Sequence, residues 1–398
     1  MPGFELFGEQ EKKEVQDVLD SGVLMRYGFD GVRNGHWKAR ELEVLLAKRM
    51  QTKYAQVVSS GTAALTVALA SAGVGAGDEV IMPTFTFVAS FESILAIGAV
   101  PILVDIDDTL TLDPLAVKNA ITDRTKVVMP VHMCGSMANL RVLRAICDEH
   151  SLLLLEDACQ AIGGSFEGKP LGSYGDLGCF SFDYVKTITC GEGGAVITNN
   201  KEYYTNADNY SDHGHDHIGS DRGAESHPFL GYNFRISELN AAVGCAQVQK
   251  LDSFLEIQKN HYQIIRTGLE KVNGVTFRSV PEGGVENYSF LSFFLPSEEL
   301  TRKVHAALGE NGVDGCFYWF DNNWHYYRKW EHLSNLTSLG NLPKEVKDRL
   351  PDYAKTNFSS SDHWMGRTIS VLIKLNWTKE EARQRADKIA KTIADCFN

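Results

Sequence analysis

The chain has 398 residues, 43% hydrophobic and 23% charged, with a formal net charge of −12. That length exceeds one small core and predicts two domains, and the excess of carboxylates excludes a nucleic-acid surface, which needs clustered Lys and Arg. No apolar run reaches the length of a membrane span, and the cysteines show no C-x-x-C pair, so reduced, buried thiols in a cytoplasmic protein are expected.

Residues 1–20 read as an acidic amphipathic helix rather than a charged-then-apolar leader. Helical periodicity follows at 39–50, 61–72, 89–97, 115–121 and 140–150. Between these helices lie short apolar runs with strand character at 54–58, 79–82, 101–104 and 126–131, continued by 152–155, 177–182 and 194–198. Alternating strands and helices predict an α/β fold, a mostly parallel sheet with helices on both faces. Ligands of such sheets bind beyond the carboxyl ends of the strands. Gly61, Phe87, Asp157 and Ser181 all fall at or just after strand ends, so one crevice could collect them.

Residues 203–228 are polar and predict a long loop, and 237–271 predict a long helix bridging to a second unit. Strand character returns at 275–295 and 368–373, and Thr378 with Glu381 forms a capping box that opens a final helix to Phe397. The expected organisation is a large domain over 1–250 and a smaller α+β domain over 251–398.

Chemistry concentrates around Lys186. It follows Ser181 by five residues and precedes the glycine-rich run Gly191-Glu192-Gly193-Gly194, while Asp157 ends the apolar run 152–155. That layout is expected where a lysine holds pyridoxal phosphate covalently and an aspartate pairs with the pyridine nitrogen. A carboxylate beside four leucines is costly to desolvate unless it meets a cation, and a protonated ring nitrogen supplies one. Gly61 and Thr62 begin a helix after a strand, where free amides suit a phosphate, although a structural Ser/Thr cap has the same appearance. The glycines of 73–77 follow a helix and precede a strand, the reverse of a dinucleotide fingerprint, so they read as a turn and a nicotinamide enzyme is excluded. Phe87 could stack on a cofactor ring, whereas Phe85 reads as core. His132 fits a structural histidine as well as a site residue. His213, His215 and His217 alternate, but no cysteine or second acidic cluster is tied to them, so a polar loop is favoured over a metal site.

Seven segments, SSGTAAL (59–65), PTFTFVAS (83–90), VDID (104–107), PVHMCG (130–135), EDACQAIG (156–163), SFDYVKTITCGEGG (181–194) and GYNFRISELNAAVG (231–244), together resemble the sugar aminotransferases of the DegT/StrS group, within fold type I of the pyridoxal-phosphate enzymes. The resemblance implies that Lys186 is the Schiff-base lysine, Asp157 the pyridinium partner, and Phe87 the ring-stacking residue. It implies Gln160 at the ring hydroxyl, and Gly61, Thr62 and Ser181 at the phosphate. Asn233 would reach the phosphate of a neighbouring subunit, giving a homodimer with shared sites. Relatives with histidine in place of the lysine act as dehydratases, so the lysine favours transamination from an amino-acid donor, by resemblance glutamate, to a sugar acceptor. Arg26, His213 and Arg235 are candidates to meet the donor's carboxylates.

The chain departs from the group after Gly312-Val313, where an aromatic, amide-rich insert runs from Phe317 to Tyr327, with Tyr318 and Trp319 as candidate sugar contacts. The insert is similar to the branch that aminates the C8 aldehyde of 8-oxo-3-deoxy-manno-octulosonate for lipopolysaccharide biosynthesis, which gives the expected acceptor. The rival readings are a nucleotide-linked 3- or 4-keto-hexose as acceptor, a non-catalytic regulatory protein that keeps the cofactor, and an insert that merely packs the domain interface.

Overall fold

The computed structural model describes residues 2–219 and 223–397. Short, almost wholly buried aliphatic runs make the main strands of the N-terminal part: β1 (Tyr54–Val58), β2 (Glu79–Pro83), β3 (Val100–Val104), β4 (Thr125–Val128) and β5 (Leu153–Asp157). Two-residue strands β6 (Ser165–Phe166) and β7 (Lys169–Pro170) precede β8 (Leu177–Ser181) and β9 (Gly194–Thr198). Seven strands form one sheet in the order β1-β9-β8-β5-β4-β2-β3. From β8 to β3 every pairing is parallel, and β9 runs against both its neighbours. Such a sheet has both faces covered, which is why its strands read as continuous apolar runs rather than alternating ones.

The helix Gly61–Ser71 is apolar all round and nearly every residue in it is buried, as expected of a helix enclosed by a core rather than lying on a surface. The C-terminal part carries β10 (Thr276–Phe277), β11 (Gly284–Val285), β12 (Phe290–Phe294), β13 (Cys316–Phe317) and β14 (Thr368–Leu372). Four of these make an antiparallel sheet in the order β10-β12-β14-β13, while β11 joins β6. Its core gathers Leu291, Phe293, Val304, Ile369, Val371 and Ile389. The helix Glu238–Leu269 serves both parts: Cys245, Leu251 and Phe254 pack with the large sheet's core, Ile265 and Leu269 with the small sheet's. Residue 250, the expected boundary, falls inside that helix.

Three sequence expectations change. The helix expected from residue 1 is a 3-10 turn at Gly3–Leu6, then a break, then a helix over Glu9–Ser21, where the Glu11 carboxylate accepts the Gly8 amide at 2.9 Å. The loop expected over 203–228 overlaps a helix at Lys201–Tyr210, started by the Asn200 side chain, which accepts from the amides of Glu202 and Tyr203; residues 220–222 of that expectation lie outside the described residues. The strand character of 275–295 is broken into β10, β11 and β12 by Pro281 and by Gly283, which sits at φ +88°. The capping box is present: Thr378 N–H donates to Glu381 Oε2 at 2.7 Å, and Glu381 N–H donates to Thr378 Oγ1 at 3.2 Å. Thr378→Ala is expected to lower unfolding stability by about 1 kcal/mol, read as a lower urea midpoint at unchanged slope.

Candidate active site

One cavity opens at the carboxyl ends of β5 and β8, against the N-terminus of the helix Gly61–Ser71. Gly61, Thr62, Phe87, Asp157, Gln160, Ser181 and Lys186 all line it. Parallel strands deliver Asp157 and Ser181 to the same edge of the sheet, and the turn after β8 carries Lys186 over them.

Each side chain is held by local chemistry. Ser60 caps the helix through its Oγ, which accepts from Ala63 N–H at 3.0 Å, and its carbonyl accepts from Ala64 N–H at 2.9 Å. The amides of Gly61 and Thr62 therefore stay unclaimed among the described residues, at the positive end of a helix. A Cβ at Gly61 would come within 2.7 Å of the Ser181 Cβ, so glycine is what lets the helix start lie against β8. Gln160 Oε1 accepts the Cys134 amide at 3.0 Å, leaving its NH2 group to donate elsewhere. Phe87 lies parallel to Trp324, with centroids 5.6 Å apart.

Asp157 is 3% exposed. Its Oδ2 accepts from Ser90 Oγ at 2.9 Å and its Oδ1 from the Cys159 amide at 3.2 Å. Both donors are neutral, and no ion pair reaches this carboxylate among the described residues. A buried carboxylate with spare lone pairs and no cation fits a protonated ring nitrogen. The free amides of a helix start fit the phosphate at the other end of the same molecule. The residues present therefore fit pyridoxal phosphate.

The cavity also contains residues that the sequence did not single out. His325, from the aromatic insert, lines it beside Lys186. Burial, with Lys186 adding, pushes the His325 imidazole down to about 3, so it is neutral near neutral pH. Its Nδ1 lies 2.8 Å from Asn322 Oδ1, which accepts, so Nδ1 carries the proton and Nε2 the lone pair. No spacing rule marks His325, because its place depends on a long-range pairing: Thr86 N–H donates to His325 O at 3.0 Å, and Val88 N–H to Trp324 O at 2.8 Å.

The remaining candidates lie outside the lining of this cavity. Arg26 is buried in an ion pair with Glu43 at 2.5 Å. Arg235 is paired with the buried Asp212, and His213 is exposed with its amide donating to Tyr232 O. Tyr318 donates its hydroxyl to Gly366 O at 3.0 Å, and Trp319 is buried, stacked on Phe317 at 4.6 Å. Asn233 is exposed, with its Oδ1 accepting the Arg235 amide. His132 is fully buried and bonded to Glu156 at 2.9 Å. No group of three or more His, Cys, Asp or Glu side chains able to hold a metal occurs among the described residues, and none of the described helices is long and apolar enough to cross a membrane.

His217 is clamped between two carboxylates, its Nδ1 3.0 Å from Asp208 Oδ2 and its Nε2 3.0 Å from Asp212 Oδ2. Burial alone would lower its pKa, but the hydrogen bonds and charges of the two aspartates outweigh it and raise the group to about 9. A raised histidine stabilises the fold fully below its unfolded value of about 6.5, and that contribution is lost as pH rises through about 9. Thermal melts of the native protein are expected to lose stability across that window, and His217→Gln to flatten the dependence.

The family model describing the DegT/DnrJ/EryC1/StrS aminotransferases matches residues 6–390. A GDP-perosamine synthase of Vibrio cholerae is 33% identical over 332 residues, covering 83% of this chain and 86% of that protein. An aminotransferase from Psychrobacter cryohalolentis superposes with a TM-score of 0.84 at 25% identity, over 98% of both chains. NtdA from Bacillus subtilis, solved with its bound cofactor PMP, has the same fold, with a TM-score of 0.80 at 23% identity over 99% of this chain and 84% of that one.

Proposed function

The chain belongs to the DegT/DnrJ/EryC1/StrS aminotransferase family, and we propose that its amino transfer to a sugar runs through the cavity around Lys186 and Asp157. It is a pyridoxal-phosphate-dependent sugar aminotransferase of fold type I. The observation that carries the assignment of the site is Asp157, a buried carboxylate with no cation of its own, facing the same cavity as a lysine.

When bound, pyridoxal phosphate supplies an electron sink for the carbon that bears the amino group. Asp157 holds the ring nitrogen in its protonated form. The amides of Gly61 and Thr62 and the Ser181 hydroxyl would hold the phosphate, Gln160 would donate from its free NH2 group to the ring hydroxyl, and Phe87 would cover the ring. Lys186 Nζ, the amine lining the cavity, would be the group that holds the cofactor covalently and, once released, the base that carries a proton to and from the substrate carbon. The neutral His325 Nε2 accepts a hydrogen bond from a hydroxyl of the sugar.

A homodimer completes this picture. Leu230 and Tyr232, close to Asn233, and Tyr184 and Val185, next to Lys186, are exposed apolar side chains, as a surface covered by a second copy would be. In such a dimer Asn233 would be the residue that reaches the cofactor phosphate of the partner. The large domain over 1–250 and the small one over 251–398 belong to the same reading, as does a cytoplasmic location, which suits eight free cysteines.

For the acceptor, a nucleotide-linked keto-hexose is the better-supported choice, because the relative of 33% identity is a GDP-perosamine synthase. The octulosonate aldehyde, and with it a place in lipopolysaccharide biosynthesis, rests on the aromatic insert. Within that insert Trp319, Tyr326 and Tyr327 are buried in the core; Trp324 and His325 meet Phe87. Purified enzyme converted to its amino form with glutamate and then offered each acceptor should return to the pyridoxal form with the nucleotide-linked ketone. Return with the octulosonate aldehyde alone would reverse the choice. Lys186→Ala should abolish turnover with every acceptor; retained turnover would remove Lys186 from the mechanism.

A further inference from the structure

Ser90 Oγ lies 2.9 Å from Asp157 Oδ2, and Thr86 Oγ1 lies 2.6 Å from Ser90 Oγ. A hydroxyl has one proton to give. An ionised Asp157 accepts only, so Ser90 spends its proton there, and the 2.6 Å contact behind it is Thr86 donating to Ser90 in preference to the Phe87 carbonyl, 3.4 Å away. The direction of the chain is thus fixed as Thr86 to Ser90 to Asp157. All three groups are buried, at 0%, 1% and 3% exposure, with Ser90 and Asp157 on the cavity wall and Thr86 behind them. Hydrogen bonds in series strengthen one another in such surroundings.

We propose that Thr86 and Ser90 form a two-hydroxyl relay that positions Asp157 and keeps the proton it shares with the cofactor on the ring nitrogen. The inference rests on the cofactor assignment above. Ser90 holds Oδ2 and the Cys159 amide holds Oδ1, so donors from two different segments set the plane of the carboxylate. The relay also draws negative charge from Asp157, which leaves it a stabilising partner for a pyridinium rather than a base that takes its proton. Thr86 and Ser90 flank Phe87, so one short segment sets both the ring face and the carboxylate behind the ring. That segment is braced by backbone bonds from Thr86 and Val88 to His325 and Trp324, which ties the relay to the insert that enters the cavity. Thr86 and Ser90 are positioning residues, acting through Asp157.

The relay predicts a spectroscopic effect that plain loss of packing does not. If the proton leaves the ring nitrogen, the nitrogen joining the cofactor to Lys186 feels less withdrawal and keeps its own proton to higher pH. The titratable groups facing the cavity are Asp157, Cys159, Asp183, Lys186, Glu192 and His325, and none is removed by a change at 86 or 90. The test reconstitutes the apoprotein with pyridoxal phosphate and reads two quantities: the pH midpoint of the visible absorbance change and the cofactor dissociation constant. Asp157→Asn calibrates the midpoint by moving it upward. Ser90→Ala should move it part of the way and weaken cofactor binding roughly tenfold, the size expected for one hydrogen bond to a charged group. Thr86→Val, of equal volume, should move the midpoint less but in the same direction, while Thr86→Ser should match the native protein. Should Ser90→Ala not fold, the pair Thr86→Val and Thr86→Ser makes the same comparison. Native midpoints in Ser90→Ala and Thr86→Val, with a shifted Asp157→Asn, overturn the relay alone. Failure of the native protein to bind pyridoxal phosphate overturns the cofactor assignment and the relay together.

Discussion

Two adjacent carboxylates close β5, and the active site depends on how differently they are satisfied. Successive residues of a strand face opposite sides of the sheet, so Glu156 and Asp157 enter separate surroundings. Glu156, fully buried, receives the His132 imidazole at 2.9 Å and the amides of Gly172, Tyr174 and Gly175 at 2.8, 2.7 and 2.7 Å. Its lone pairs are used up, and it organises the turn that leads into β8. Asp157 receives one hydroxyl and one amide. It keeps lone pairs free on the side of the cavity, where they are open to a ligand. The same residue chemistry gives a structural clamp on one face and a carboxylate open to the cavity on the other.

The C-terminal part is coupled to that site by more than packing. Asn287, fully buried, donates from its Nδ2 to the carbonyls of Gln160 and Ile162, each at 3.1 Å, and its amide donates to Gly135 O. Gly135 sits at φ +75°, and a Cβ there would collide with the Asn287 side chain, so glycine is required on both counts. Arg278 adds bonds to the carbonyls of Thr109 and Met133. The loops beneath Gln160 and around Phe87 are thus each anchored by residues more than a hundred positions downstream. Movement of the small sheet would pull directly on the groups that line the cavity.

The parallel sheet was legible because both-face burial writes itself as short apolar runs, and Gly61, Phe87, Asp157, Ser181 and Lys186 were legible because strand ends in such a sheet converge. The helix Lys201–Tyr210 was hidden: it is polar, and its start depends on Asn200, a residue equally at home in a loop. The aromatic insert misled in one respect. Tyr318 and Trp319 look like ligand contacts in sequence but are held by Gly366 and Phe317, whereas His325 reaches the cavity through backbone pairing with Thr86. Ser90 was missed for a related reason. A serine in the first turn of a helix looks like a local capping residue, and only the fold brings Asp157, 67 residues away, to its hydroxyl.

Arg26 and Arg235 show what residue type alone cannot convey. Both looked available for a substrate carboxylate, yet each is committed to a buried acid: Arg26 to Glu43 with Asp208 behind it, Arg235 to Asp212. Asp208 and Asp212 are joined through His217, and Tyr27 donates to Asp208 at 2.9 Å while stacking on His217. The result is one ionic frame linking the chain near residue 26, the helices at 38–49 and 201–210, and the segment that leads to Asn233. Buried pairs of this kind fix geometry more than they add stability, and removing either partner strands a charge at a cost of several kcal/mol. An arginine in that position cannot turn to a substrate without leaving its acid uncompensated. The frame therefore holds the Asn233 segment in place, and Lys186 is the one cation among the described residues that line the cavity.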